Sequence, residues 1–212
     1  MKKKITLLLL FLMTAAMLRS QTLEESLKTA FIKLDAAKTE QELIAASAQF
    51  DVVAAKWNTQ WITNYYAAYC KIKISFKLKD KTKRDQYLDA AKKYMEKADQ
   101  LSPNNQELFI LEAWCAKARI AVDGFSRWKE YGKVYDSYIE KAKKINPENP
   151  RICFLEGQTP FYKPKIWGGG KDKAKPYFEK AKLLFVKENK SNILIPSWGQ
   201  KENEELLKQC ND

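Results

Sequence analysis

Gly168-Gly169-Gly170-Lys171, inside the stretch FYKPKIWGGGKDKAKPYFEKA from Phe161 to Ala181, is where this sequence comes nearest to a ligand-binding motif. Glycine-rich turns before helices hold phosphates on free backbone N–H groups, with a lysine close behind. A phosphate loop requires Gly-x-x-x-x-Gly-Lys-Ser/Thr after a strand. Here Lys165 stands five residues before Gly170, Asp172 takes the place of the magnesium-binding hydroxyl, and no strand-like alternation comes before. A structural turn explains the residues better. Pro160 and Pro164 are expected to end one helix, Ala174-Phe178-Ala181 to begin the next, and the glycines to supply positive φ between them. Trp167 is then expected to fold back on the helix pair as a plug. The alternative for Trp167, Gly168, Gly169, Gly170 and Lys171 is an anion site on the N–H groups of the helix starting near Lys171.

Other chemistry is thinly supplied. The chain has no histidine, which removes histidine bases, triads and metal ligands together. Cys70, Cys115, Cys153 and Cys210 contain no CxxC pair, so no metal site is expected. Buried thiols are the simpler reading, with a Cys153–Cys210 bridge as the alternative for an exported chain. Glu107, Glu112 and Asp123 are not spaced for acid–base work. The sequence therefore points away from an enzyme and names no cofactor.

The N-terminus bears on location. Lys2-Lys3-Lys4, the mainly apolar run Ile5 to Leu18, and then Arg19-Ser20-Gln21 read as a secretory signal peptide over residues 1–20. The run is short for a membrane span, and no later segment is long enough for one. A periplasmic or extracellular protein starting at Gln21 is expected. Removing the segment takes away four basic residues and no acid, lowering the formal charge from +12 to +8. Nearly all of that charge is lysine interleaved with acids, which describes solvated helix faces and not a nucleic-acid reader.

The positioning elements are helices. Apolar residues recur at three- and four-residue steps, and glycine and proline are sparse at seven each. Capping boxes at Thr22–Glu25 and Thr39–Glu42, with stops at Ser102-Pro103 and Asn146-Pro147, predict helices near 22–37, 40–56, 59–79, 83–101, 104–122, 131–145, 149–158 and 171–188. Asp123 to Tyr131 is expected to be a loop, and a short helix to follow Trp198-Gly199. These elements repeat. A small residue, a bulky one four later and a small or apolar one three later recur as Ala46-Phe50-Val53, Ala91-Met95-Ala98, Tyr135-Ile139-Ala142 and Ala174-Phe178-Ala181. Ala68, Ala113 and Gly157 take the matching small positions on the partner helices.

The pattern resembles the tetratricopeptide repeat over roughly residues 40–188, with units longer than that family's 34 residues. More narrowly, the phrases YYAAYC, NPR and WGGGKDKAKPYFEKA and the closing WG…C are similar to exported bacterial proteins of uncharacterised role. The resemblance implies an all-α solenoid of antiparallel helix pairs in a single domain over 21–212. In such a stack the first helix of each pair lines a concave face. Tyr65, Tyr69 and Lys73, Ile110, Trp114 and Lys117, and Phe154, Gln158 and Tyr162 are expected there as an aromatic groove edged by lysines. The expected function is a binding or scaffolding module that holds a protein or peptide in that groove. An accessory solute-binding subunit of a periplasmic transporter is the alternative, with its pocket near Gly168–Gly170.

Overall fold

A computed structural model describes residues 21–211; the expected signal peptide lies outside the described residues. The regular elements are all helical: α1 (Leu23–Ala36), α2 (Glu40–Lys56), α3 (Trp61–Ser75), α4 (Lys81–Leu101), α5 (Gln106–Val122), α6 (Gly124–Ile145), α7 (Pro150–Tyr162), a 3-10 turn (Lys165–Trp167), α8 (Lys171–Phe185) and α9 (Gln200–Asn211). The all-α class read from the sequence is the one observed.

Side-chain caps set most of the starts. Thr22 and Thr39 each accept from the backbone of a glutamate three residues on, and Glu25 and Glu42 reach back to complete both boxes. Asp80, Asn105, Asp123 and Asn149 cap α4 to α7 in the same way. Each satisfies N–H groups that the first helical turn leaves without partners.

The helices pack as consecutive pairs, α1 with α2 through α7 with α8, and α9 lies on α8. The repeated small residues explain the close approach. Ala68, Ala113 and Gly157 are buried against the second helices, whose Met95, Ile139 and Phe178 fill the space between. A Cβ on Gly157 would stand 2.7 Å from the Phe178 ring and 2.9 Å from Tyr177 Cβ, so α7 meets α8 only through a glycine. Contacts between pairs keep one register. Tyr65 with Glu107, Lys81 with Asp123, Asp85 with Arg127, Lys117 with Thr159 and Glu107 with Arg151 lie 42–44 residues apart. Accordingly α3, α5 and α7 run in one direction, and the connections that follow them share one edge of the stack.

Two boundaries differ from expectation. The loop expected from Asp123 to Tyr131 is helical, because α6 begins at Gly124 and only Asp123 separates it from α5. Asp123 accepts from Ser126 N–H, and the Arg127 guanidinium pairs with both carboxylate oxygens of Asp85 at 2.7 and 2.8 Å, which pins the first turns of α6 to α4. Pro160 does not end α7, which runs on to Tyr162. In the last turn a proline forfeits a single ladder bond, and its own carbonyl is taken by Gly170 N–H at 2.8 Å.

Candidate functional site

Most of the residues expected to line an open groove are buried. Tyr65, Tyr69, Ile110, Trp114 and Phe154 all belong to the core, Lys73, Lys117 and Gln158 are half-buried, and Tyr162 alone is exposed. The groove expectation is corrected by a segment the sequence pattern did not place there, the chain leading into α9. Trp198 stacks on Trp114 with ring centroids 4.8 Å apart, and meets Tyr69 at 5.6 Å and Phe154 at 6.4 Å. Its indole N–H donates to the Tyr65 hydroxyl at 2.6 Å, and the Tyr66 hydroxyl donates to the Ile193 carbonyl at 2.7 Å. Lys73 faces Glu202 of α9 at 3.5 Å and lies over the Tyr69 ring. The chain's own C-terminal segment thus occupies the face expected to be concave.

A buried ion cluster locks that arrangement. Arg151, 2% exposed, donates to both oxygens of Glu107 at 3.0 and 2.9 Å, to Glu188 at 2.7 Å, and to the Trp198 carbonyl at 3.4 Å. Asn149 donates to Glu107 at 2.6 Å. The Glu107 and Glu188 carboxylates hold the guanidinium charged, against the cost of its burial. Arg151 belongs to the NPR phrase, so the sequence carried a signal for it; Glu107, Glu188 and Trp198 come from far apart in the chain and carried little.

The glycine turn is built mostly from its own backbone. Gly168, at φ +85°, closes the 3-10 turn by donating to Lys165 O at 2.9 Å. Gly169 donates to Pro164 O at 3.0 Å and Gly170, at φ +135°, to Pro160 O at 2.8 Å. The three glycine N–H groups are therefore spent on nearby backbone carbonyls. Trp167 is not a plug: it is 67% exposed, with Ile166 and Tyr162 beside it. Lys171, at the first position of α8, is exposed as well.

A cleft of about 450 Å³ opens beside this turn, a volume within the usual range for small-molecule sites. Its walls are Thr159, Pro160 and Lys163 at the end of α7, Gly168 in the turn, and Lys173 and Tyr177 on α8. Lys163 and Lys173 have no carboxylate partner among the described residues; Lys173 donates to Gly168 O at 3.1 Å. Behind the wall, Lys117 donates to Thr159 Oγ1 at 2.7 Å and lies over the Tyr135 ring at 4.4 Å. Burial lowers the Lys117 amine to about 7, outweighing the opposite pull of Asp136 and Glu156. A smaller hollow of about 220 Å³ by Asn146, Asn149 and Glu188 lies where α7 begins, and Glu188 there is already committed to Arg151.

The four cysteines are unpaired, Cys70, Cys115 and Cys153 are buried, and burial pushes Cys70 and Cys115 up to about 12, so they are poor nucleophiles at neutral pH. No group of three or more acidic, cysteine or histidine side chains is placed to hold a metal among the described residues. No helix among them is long and apolar enough to cross a membrane.

No protein-family profile and no curated relative matches the chain. Among solved structures, the HusA haemophore from Porphyromonas gingivalis is 31% identical, with a TM-score of 0.77, over 92% of this chain and 95% of that one. The chain belongs to the HusA haemophore family. Thr159, Lys163, Lys173 and Tyr177 were not singled out in the sequence. The glycines between them mark this place in the sequence, and the hollow beside the turn forms only when the turn closes.

Proposed function

We propose that this chain is an exported, non-enzymatic carrier that binds haem or a related porphyrin in the α7–α8 cleft. The likeness to a haemophore along nearly the full chain carries this reading. The cleft's chemistry supports it. Haem is a flat apolar ring with two carboxylates, and the cleft offers Tyr177, with Tyr162 and Trp167 adjoining lining residues in the chain, for the ring and the ammonium groups of Lys163 and Lys173, the latter also bonded to Gly168 O, for the acids. The cleft has no histidine, cysteine or methionine in its lining, and its one side chain of a kind that ligates haem iron is the Tyr177 phenol. Recognition would then rest mainly on the ring and its carboxylates. Signal-directed export of residues 21–212, as one domain in the periplasm or outside the cell, belongs to the same reading. So does a divergent tetratricopeptide-like stack, supported by the 42–44-residue register and the buried small–bulky–small pattern.

Titration of haemin into the chain from Gln21, followed by its Soret absorbance, tests the proposal. Saturable binding at one equivalent is expected, about tenfold weaker in a Lys163→Glu/Lys173→Glu variant, a loss of about 1.4 kcal/mol. No saturable change, or equal affinity in the variant, would count against it.

The reading of the concave face as a groove for a protein segment keeps one supporting observation, since residues 193–198 already lie along α3 as such a segment would. A foreign peptide there would have to displace the chain's own. A transporter accessory subunit would use the same cleft for a small acidic solute, and competition of a dicarboxylate with haemin would reveal it.

A further inference from the structure

Every exposed aromatic side chain among the described residues lies on one edge of the stack. Phe76 follows α3, Phe125 and Trp128 occupy the first turns of α6, Tyr162 and Trp167 flank the turn between α7 and α8, and Tyr177 lines the cleft beside it. Phe125 is 95% exposed, Trp128 63% and Ile166 86%. The Lys81–Asp123 pair at 3.5 Å, the Arg127–Asp85 pair and the Lys117–Thr159 bond hold these turns side by side. Neighbouring helices pack about 8–10 Å apart, so the rings form a row and are not scattered. The opposite edge, where α4, α6 and α8 end, exposes the aliphatics Leu101, Ile145 and Val186 instead.

Charge accompanies the row. Lys77, Lys79, Lys129, Lys163 and Lys165 are exposed around it and make no ion pair among the described residues. The arginines near it, Arg119 and Arg127, are turned inward to Asp85 and Asp89. We propose that this edge is a docking surface for an anionic lipid layer. Separated tryptophan, tyrosine and phenylalanine rings among unpaired lysines match the belt that seats proteins at a lipid headgroup boundary, where lysine stems bury their methylenes and keep the ammonium outside. Anionic headgroups attract juxtaposed lysines, and several act together. A protein partner fits less well, because protein interfaces favour arginine and deplete lysine, and here the arginines are already engaged within the fold. Docking in this way brings the mouth of the α7–α8 cleft to the lipid surface.

The inference does not depend on what the cleft holds, and its test is separate. The chain from Gln21 is sedimented with phosphatidylglycerol or phosphatidylcholine vesicles at about 0.1 M salt, beside a Phe125→Ser/Trp128→Ser variant. Both side chains are exposed and neither lines the cleft, so the circular dichroism and the haemin titration should not change. The expected result is at least tenfold stronger binding to phosphatidylglycerol, a tenfold loss in the variant, and quenching of wild-type tryptophan fluorescence by brominated acyl chains. Equal binding to both lipids would overturn the proposal, and so would equal binding by the variant, which would reduce the attraction to net charge. An envelope protein retained by the wild type and lost by the variant, with no vesicle binding, would give the edge to a protein partner and overturn the lipid assignment.

Discussion

On the face covered by the C-terminal segment, Tyr69, Trp114 and Phe154 close around Trp198, and Arg151 is held by two carboxylates. At the turn edge, Tyr162 and Trp167 stand in solvent beside Lys163 and Lys165, which make no ion pair among the described residues. Both regions are made of rings and cations, and composition alone does not tell them apart. They differ in saturation: the first has its stacking and hydrogen-bonding capacity filled by the chain itself, and the second keeps its capacity free. Residues that could bind something become candidates for a site only when the fold leaves them unsatisfied.

Substitutions should separate the two regions by what they cost. Arg151→Ala strands the partly buried carboxylates of Glu107 and Glu188 and should lower stability by about 3 kcal/mol, measured by urea unfolding. A loss below 1 kcal/mol would mean that the cluster does not hold the tail. Trp198→Ala should cost about 3 kcal/mol and open residues 189–199 to limited proteolysis, since the indole is the tail's main anchor. At the edge the expected pattern reverses. Tyr162→Ala/Trp167→Ala should change stability by no more than about 0.5 kcal/mol, because both rings are exposed, yet weaken haemin binding about tenfold in the Soret titration. A stability loss equal to that of Trp198→Ala would erase the contrast.

The smallest effect lies between the regions, at Lys117. Its amine is lowered to about 7 in the fold and returns to about 10.4 on unfolding, so between those values the unfolded chain binds more protons and stability rises with pH. Cys70 and Cys115 act oppositely above about pH 8.5, where unfolded thiols ionise and the buried ones, raised to about 12, do not. Glu112, which burial raises to about 7, opposes the rise until it is ionised near pH 8, so the window that isolates Lys117 is about pH 8 to 8.5. Lys117→Met should flatten the rise there, as read from unfolding midpoints against the wild type; an unchanged slope would assign it to another group.

The sequence made the helices and their pairing legible because both depend on local spacing. Thr22–Glu25, Thr39–Glu42 and the small–bulky–small triplets state where helices begin and which faces meet. It also picked out Tyr65, Tyr69, Trp114 and Phe154 as one set, and they do share one face. What covers that face was not legible, since Trp198 lies 133 residues from Tyr65 and no periodicity links them. The start of α6 was hidden for the same reason, because the Arg127–Asp85 contact spans 42 residues. Lys163, Lys173 and Tyr177 meet only because the glycine turn brings the end of α7 back against α8. Local sequence shows the turn, and three dimensions show the hollow beside it.

Hydrogen–deuterium exchange of the chain from Gln21, with and without one equivalent of haemin, tests most directly whether the open cleft and not the filled face receives the ligand. Added protection should centre on residues 159–177, with residues 192–203 and α3 unchanged. Faster exchange in residues 192–203, with new protection along α3 and α5, would mean that the ligand displaces Trp198 and that the concave face is the binding site.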